Sequence, residues 1–271
     1  MTDTTDVVDP EVAAAFQRDG HAFLPALASG EEIARVRPRI LAAAAARNPD
    51  PPPLEVRNTY GKAFLQSMNC WRLDDEVKAF VWSPRFARVA AALLGVDGVR
   101  LYHDQALFKE PGGGPTPWHQ DQVYWPLDTD RTITMWMPLV DVPAEVGSMT
   151  FVSGSSRLGD LGSYDISDSS DGAVAELLAE RDLALHTYGA VHAGDATFHA
   201  GWTLHRAGPN PTARTREVMT VIWYADGARV VEPENDHQRF DLAMWLKGSE
   251  PGQAADGPRN PLLWPPTGPA V

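Results

Sequence analysis

The chain has 271 residues, 44% of them hydrophobic and 22% charged, which is enough for a large folded core and is ordinary for a globular enzyme. With 36 acidic against 23 basic residues the formal net charge is −13, so nucleic acid and other polyanions make poor partners, since phosphate binding wants a basic surface. No run approaches the ~20 apolar residues of a membrane span, the start lacks a signal-peptide pattern, and Cys70 is the only cysteine, so no membrane partner and a cytoplasmic location are expected.

Asp9-Pro10-Glu11 pairs a capping side chain with a proline and an early acid, which predicts a helix running to about Arg18 and stopped at Asp19-Gly20. A short strand, 21–24, follows. Ser29-Gly30-Glu31-Glu32 has capping-box spacing and opens a helix that runs through the alanines 42–46; residues 48–53 then form a loop. Ser83-Pro84 starts a further helix, with Phe86, Val89, Ala90, Leu93 and Leu94 on one face and Gly95 closing it. Residues 1–98 are therefore mainly helical.

From Val99 the apolar pattern changes to that of strands, at 99–108, 132–140, 148–152, 183–188, 195–199, 203–205 and 215–224. Most of these are separated by turn residues rather than helices, which excludes an alternating α/β design and favours a sandwich or barrel such as the jelly roll. Residues 159–181 break the pattern. Their Asp-, Ser- and Gly-rich first part suits either a lid over a site or a plain solvated loop, and 173–180 suits a short helix. Beyond Asp226 the pattern predicts only a short helix at 242–247 and an irregular, proline-rich end from Pro251. The expectation is one domain, 1–271, with a core at 99–225 and a tail at 226–271. Nothing in the sequence speaks to oligomeric state.

The chemistry concentrates in Trp118-His119-Gln120-Asp121. In an extended segment His119 and Asp121 point to the same side, so an imidazole and a carboxylate can share one ion. A second histidine would complete the two-His, one-carboxylate triad that leaves positions open on Fe(II). His205 is preferred for its context, Trp202-Thr203-Leu204-His205-Arg206-Ala207-Gly208-Pro209-Asn210, with His199 as the rival. A hairpin between Ala207 and Arg214 is expected to lay Arg216 beside His205. Arg216 shares a strand face with Val218, Thr220 and Ile222, so it faces inward and needs an anion, either the far carboxylate of a dicarboxylate ligand or a structural partner such as Asp195. His103-Asp104 sits on opposite strand faces and is read as structural. Phe64, Met68, Trp71, Trp125 and Trp202 are candidates for an apolar pocket or for plain core.

These motifs, in this order, resemble the phytanoyl-CoA dioxygenase family of Fe(II)- and 2-oxoglutarate-dependent oxygenases. The likeness runs from Phe16-Gln17-Arg18-Asp19-Gly20-His21, through 101–109 and Thr116-Pro117-Trp118-His119-Gln120-Asp121, to 205–216. It implies an α+β, mainly β fold: a double-stranded β-helix, the jelly roll of the cupins, with N-terminal helices packed on it. It implies iron on His119, Asp121 and His205, with 2-oxoglutarate and O2 as co-substrates. Arg216 would hold the far carboxylate of 2-oxoglutarate, and Gln105 and Trp136 would also contact it. One departure stands out, because some members carry a serine two residues after the distal histidine where this chain has Ala207.

The expected activity is oxidation, first of all hydroxylation, of a small, largely apolar metabolite, with a cyclic compound of secondary metabolism as the leading candidate, and with release of succinate and CO2. Epimerisation, desaturation and ring closure use the same cofactors. An acyl-CoA is disfavoured as substrate, because the insertion 159–170 carries Asp160, Asp165 and Asp168 and no Lys or Arg. Two rivals are a metal cupin that does not use 2-oxoglutarate, which has no need of Arg216, and a non-catalytic binding module, for which the triad would be coincidence.

Overall fold

The computed structural model describes residues 8–162, 170–181 and 183–266. The N-terminal part carries α1 (Pro10–Asp19), β1 (His21–Leu24), α2 (Gly30–Arg47), α3 (Thr59–Ala63), β2 (Leu65–Met68), α4 (Asp75–Val81) and α5 (Pro84–Leu94). The core follows with β3 (Val99–Lys109), β4 (Thr116–His119), β5 (Thr132–Pro138), β6 (Met149–Val152), α6 (Ser170–Arg181), β7 (Leu185–Thr187), β8 (Ala196–Ala200), β9 (His205–Ala207) and β10 (Arg216–Ala225). The chain closes with α7 (Asp236–Met244) and β11 (Leu262–Trp264). Among the described residues no helix is long and apolar enough to cross a membrane.

The helices begin where their caps dictate. The Asp9 carboxylate accepts from the Glu11 N–H at 2.8 Å, and the Ser29 hydroxyl accepts from the Glu32 N–H at 3.1 Å, each satisfying a donor that the first helical turn leaves free. α1 stops at Gly20, whose φ of 80° suits glycine. Residues 54–82, which show no clear period, nevertheless fold into α3, β2 and α4. For α4 the signal was present in Asp74, which accepts from the N–H groups of Glu76 and Val77.

The strands make two antiparallel sheets. The larger, of seven described strands, runs β1-β8-β5-β10-β3-β11, with β2 also on β3; the smaller runs β4-β9-β6-β7. Strand alternation divides β10 between two environments. Met219, Val221 and Trp223 face out and pack with Ile33, Ile40, Phe86, Leu93 and their neighbours on α2 and α5. Val218 faces in, with Leu107, Trp136 and Phe151. The helices thus seal the back of the large sheet and leave its front to form, with the small sheet, the double-stranded β-helix and its interior cavity.

Three tertiary details depart from the sequence expectations. The segment 207–214 is no hairpin, since β9 pairs with β4 and β6 while β10 pairs with β3 and β5. It crosses between sheets instead, tied down by Asn210, whose amide donates to the carbonyls of Lys109 at 2.9 Å and Arg214 at 2.7 Å. The helix expected at 242–247 lies earlier, because Asn235 caps α7 by accepting from the Gln238 N–H at 2.9 Å. The tail from Pro251 is not wholly irregular, as β11 adds to the edge of the large sheet beside Val99 and Arg100.

Candidate metal centre and co-substrate cavity

β4 ends at His119 and β9 begins at His205, and the two residues are direct partners across the small sheet. Gln120 keeps an extended backbone, φ −121° and ψ 124°, before Asp121 opens a 3-10 turn, so alternation brings Asp121 round to the side of His119. One ligand atom from each of His119, Asp121 and His205 lies within 4.8 Å of the other two. The Asp121 Oδ1 is 3.5 Å from His119 Nε2 and 3.7 Å from His205 Nε2.

The surroundings set the donor state of each group. His119 Nδ1 donates to the Pro117 carbonyl at 2.9 Å and His205 Nδ1 to the Thr203 carbonyl at 2.8 Å. A carbonyl only accepts, so each Nδ1 carries the proton and each Nε2 turns a lone pair inward. Burial, with His119 and His199 close by, pushes His205 well below the usual imidazole range and keeps it neutral. Burial alone would raise the Asp121 carboxyl, but the histidines around it and the bond from His199 hold it well below the usual carboxylate range. Two neutral imidazoles and one carboxylate, convergent and open toward a cavity, fit an Fe(II) ion.

His199 has a different place from the one its rivalry with His205 implied. Its Nε2 is 3.1 Å from Asp121 Oδ2, which also accepts from the Thr134 hydroxyl at 3.0 Å. One carboxylate oxygen is therefore held by protein donors, while the other faces His119 and His205.

Arg216 lies in the same cavity, 3% exposed. Its Nη1 donates to the Gly147 carbonyl at 2.8 Å, its carbon sits 5.4 Å from the centre of the Trp136 ring, and its Nε has no partner among the described residues. Burial pushes the guanidinium down to about 10. Among the described residues no carboxylate pairs with it. Asp195, the structural partner considered, instead accepts from the N–H groups of Ala26 and His192, both at 2.8 Å. A buried cation left unpaired beside an open cavity fits an anionic ligand such as a 2-oxoglutarate carboxylate.

Gly147 holds this arrangement at a φ of +59°. A Cβ there would lie 2.9 Å from the Gly208 carbonyl oxygen and 3.0 Å from Arg216 Nη1. Gly147→Ala is expected to cost roughly 1–3 kcal/mol of stability through backbone strain and to weaken 2-oxoglutarate binding at the same time. Thermal denaturation and calorimetric titration of one sample check both; unchanged values for both would mean that the arginine does not depend on this turn.

Of the other residues singled out in the sequence, Gln105, Trp136, Phe64, Met68 and Trp125 line the cavity with the triad. Gln105 accepts from Gln66 Nε2 at 3.1 Å, Gln66 in turn accepts from Tyr60 at 2.7 Å, and the Gln105 amide nitrogen keeps no acceptor among the described residues. Trp71 and Trp202 do not line the cavity. Trp71 donates to Asn69 at 2.8 Å and packs on Trp82, while Trp202, in the turn before β9, lies in a separate surface cleft with Phe16 and Arg131. His103 does line it, through an imidazole whose Nδ1 is buried without a partner among the described residues, whereas Asp104 faces away and accepts from the N–H groups of Cys70 and Trp71. Thr116 and Asp241, also at the cavity, were not anticipated.

The described part of 159–181 packs behind the small sheet, where Val174, Leu177 and Leu178 of α6 meet Trp118, Val152 and Leu204. There it backs the strand that carries His119. Residues 163–169 of this insertion, with Asp165 and Asp168, lie outside the described residues, and with them the choice between a lid and a plain loop.

A double-stranded β-helix with this donor set and a basic cavity end defines a class, the iron- and 2-oxoglutarate-dependent oxygenases. The family model "Phytanoyl-CoA dioxygenase (PhyH)" matches residues 16–218. The chain belongs to that family.

Among solved structures, it resembles the epimerase SnoN in complex with Fe3+, alpha ketoglutarate and nogalamycin RO, at 28% identity and a TM-score of 0.74 over 93% of this chain and 97% of that one. The carbocyclase SnoK from nogalamycin biosynthesis shares the fold, at 23% identity and a TM-score of 0.76 over 96% of this chain and 98% of that one. A curated relative from Stutzerimonas stutzeri, "Probable alpha-ketoglutarate-dependent hypophosphite dioxygenase", is 28% identical over 160 residues, 57% of this chain and 54% of the relative. The chain thus spans about half the length of that relative.

Proposed function

We propose that the 271 residues form one Fe(II)- and 2-oxoglutarate-dependent dioxygenase unit that oxidises a C–H bond of a small, largely apolar metabolite. The observation that carries this reading is the pairing of two features in one cavity: the convergent donors His119, Asp121 and His205, and the buried, unpaired Arg216. Iron held by the three donors would couple the conversion of 2-oxoglutarate and O2 into succinate and CO2 to oxidation of the substrate. The chain's own contribution is placement. Thr134 and His199 fix the Asp121 carboxylate, the backbone carbonyls of Pro117 and Thr203 fix the imidazoles, and Arg216 anchors the co-substrate with Trp136 and Gln105 beside it. A metal cupin without 2-oxoglutarate and a non-catalytic binding module both leave the buried guanidinium without a purpose.

The rest of the lining indicates what enters. Met68, Trp125, Leu107 and Ile222 offer apolar surface, and His103 and Asp241 add two polar side chains. Asp241 accepts from the Tyr102 hydroxyl at 2.8 Å, and burial pushes its carboxyl up to about 7. Such a lining suits a ring-bearing molecule with a hydroxyl or amino group to anchor, and it suits a free inorganic anion poorly. Hydroxylation is the simplest outcome. Epimerisation of a ring carbon is a second reading, favoured by the likeness to SnoN over nearly its whole length. The free, buried Cys70 suits a reducing cytoplasm.

Succinate formation across a panel of cyclic metabolites and acyl-CoA thioesters tests the substrate class. The cyclic compounds are expected to stimulate it. Among the described residues, Arg206 and Arg216 are the only Arg or Lys side chains lining the cavity, too few for the phosphates of coenzyme A. Oxidation of an acyl-CoA well above the substrate-free decarboxylation of 2-oxoglutarate would contradict this part of the reading.

A further inference from the structure

The cavity runs between two ends of opposite character. Arg216 stands across from Lys109 at one end of the β3 and β10 pair, and Ile222 stands across from His103 six residues further on, about 20 Å along the strands. At that second end α7 closes the wall. Asn235 and Gln238 donate to the Val123 carbonyl at 3.2 and 3.3 Å, which fixes the helix to the turn that carries Asp121, and Asp241 reaches the cavity from the second half of the helix.

Asp241 is a buried acid without a counter-charge. It is 6% exposed, its Oδ2 accepts from the neutral Tyr102 hydroxyl at 2.8 Å, and among the described residues no Lys, Arg or His forms an ion pair with it. His103 borders it: the imidazole packs on Tyr102, with 5.0 Å between ring centres, and at 5.6 Å on Trp245, four residues after Asp241. Burial pushes this imidazole down to about 3, so it is neutral and cannot supply the missing charge. It is 1% exposed, and its Nδ1 is buried without a partner among the described residues. A neutral imidazole keeps one lone pair, so this end of the cavity offers two acceptors in a wall otherwise built of Met68, Trp125 and Ile222.

Aromatic rings complete it. Tyr124 and Trp125 line the cavity, and Trp125 packs on Tyr102 with 5.4 Å between ring centres. Indole and phenol faces attract cations. An ammonium group carries the charge that Asp241 lacks and several N–H donors, enough for the carboxylate and the imidazole together, whereas a hydroxyl brings one proton and no charge. Burial pushes the Asp241 carboxyl up to about 7, and an ammonium group beside it favours the ionised form.

We infer that the substrate carries a protonated amino group bound at this end of the cavity, with Asp241 as its counter-charge, His103 as a second acceptor, and Tyr124 and Trp125 as ring faces. This rests on the proposed oxygenase activity and narrows its substrate to apolar compounds that bear a basic amine.

Calorimetric titration of the Mn(II)- and 2-oxoglutarate-loaded protein with cyclic primary amines, from cyclohexylamine to tryptamine, each beside its alcohol and its N-acetyl derivative, is the test. The amines are expected to bind roughly 10- to 100-fold tighter than their alcohols, the range for a hydrogen bond to a charged group, and the uncharged N-acetyl compounds no better than the alcohols. Asp241→Asn keeps the shape and removes the charge. It is expected to bring the amines down to the affinity of the alcohols, while the alcohols, 2-oxoglutarate and the metal bind as in the parent. Tyr102→Phe breaks the same hydrogen bond but leaves the carboxylate, and it is expected to keep the amine preference, which separates a lost counter-charge from a disturbed fold. His103→Leu is expected to reduce amine affinity several-fold. Alcohols that bind as tightly as the amines, amines that do not bind at all, or an amine preference that survives Asp241→Asn would overturn the assignment and leave the oxygenase reading standing. A parent protein that binds no 2-oxoglutarate overturns both.

Discussion

Alanine at His119, Asp121 or His205 is expected to remove Fe(II) binding and turnover together. Each variant takes away one of three protein donors, and no other His, Cys, Asp or Glu among the described residues joins that donor group. Loss of an outer partner of a metal ligand typically costs about 10–100-fold in affinity, so loss of a ligand itself should exceed about 100-fold. His199→Ala gives the internal contrast. It removes one of two bonds to Asp121 Oδ2 and leaves the bond from Thr134, so it should weaken the metal without abolishing it. Metal titration of all four variants, with circular dichroism to show that each is folded, separates the cases. If His199→Ala removed the metal while His205→Ala kept it, the distal ligand would have to be reassigned.

Arg216→Ala is the variant with the next largest expected effect, a rise in the Michaelis constant for 2-oxoglutarate of about 100-fold or more. A charge-assisted contact in a buried site is worth a few kcal/mol, at ~1.4 kcal/mol per decade. The guanidinium has no carboxylate partner to lose among the described residues, so its removal should not leave a stranded acid, and the fold should tolerate it. Fe(II) affinity should be unchanged, because the ligands sit on β4, β9 and the turn after β4, whereas Arg216 opens β10 in the other sheet. Arg216→Lys should recover only part of the loss, since an ammonium group cannot reproduce the planar fork. An unchanged Michaelis constant in Arg216→Ala would leave the guanidinium without a role in co-substrate binding and favour a metal cupin of another chemistry.

Much of this arrangement was legible in the sequence, because it follows from local rules. The period-2 pattern of β10 put Arg216, Val218, Thr220 and Ile222 on one face without knowledge of what lay opposite, and the i, i+2 spacing of His119 and Asp121 survived the turn after β4. Caps at Asp9 and Ser29 acted through bonds within three residues. What was not legible depends on partners far along the chain. The different places of His205 and His199 depend on which strand each belongs to: β9 faces β4 directly, whereas β8 lies in the large sheet and brings His199 to the other oxygen of Asp121. Trp202 precedes β9 in a turn, where alternation does not apply, and so it left the cavity. The expected hairpin at 207–214 failed because Asn210 bonds to the end of β3, 101 residues earlier, which no local turn rule registers.

Anaerobic calorimetry of the metal-free protein, first with Fe(II) and then with 2-oxoglutarate, tests the central claim most directly. One Fe(II) per chain is expected, followed by one 2-oxoglutarate that binds only to the loaded protein, with the first step lost in His205→Ala and only the second lost in Arg216→Ala. Metal binding that survives unchanged in His119→Ala, Asp121→Ala and His205→Ala, or 2-oxoglutarate binding that ignores Arg216→Ala, would contradict it.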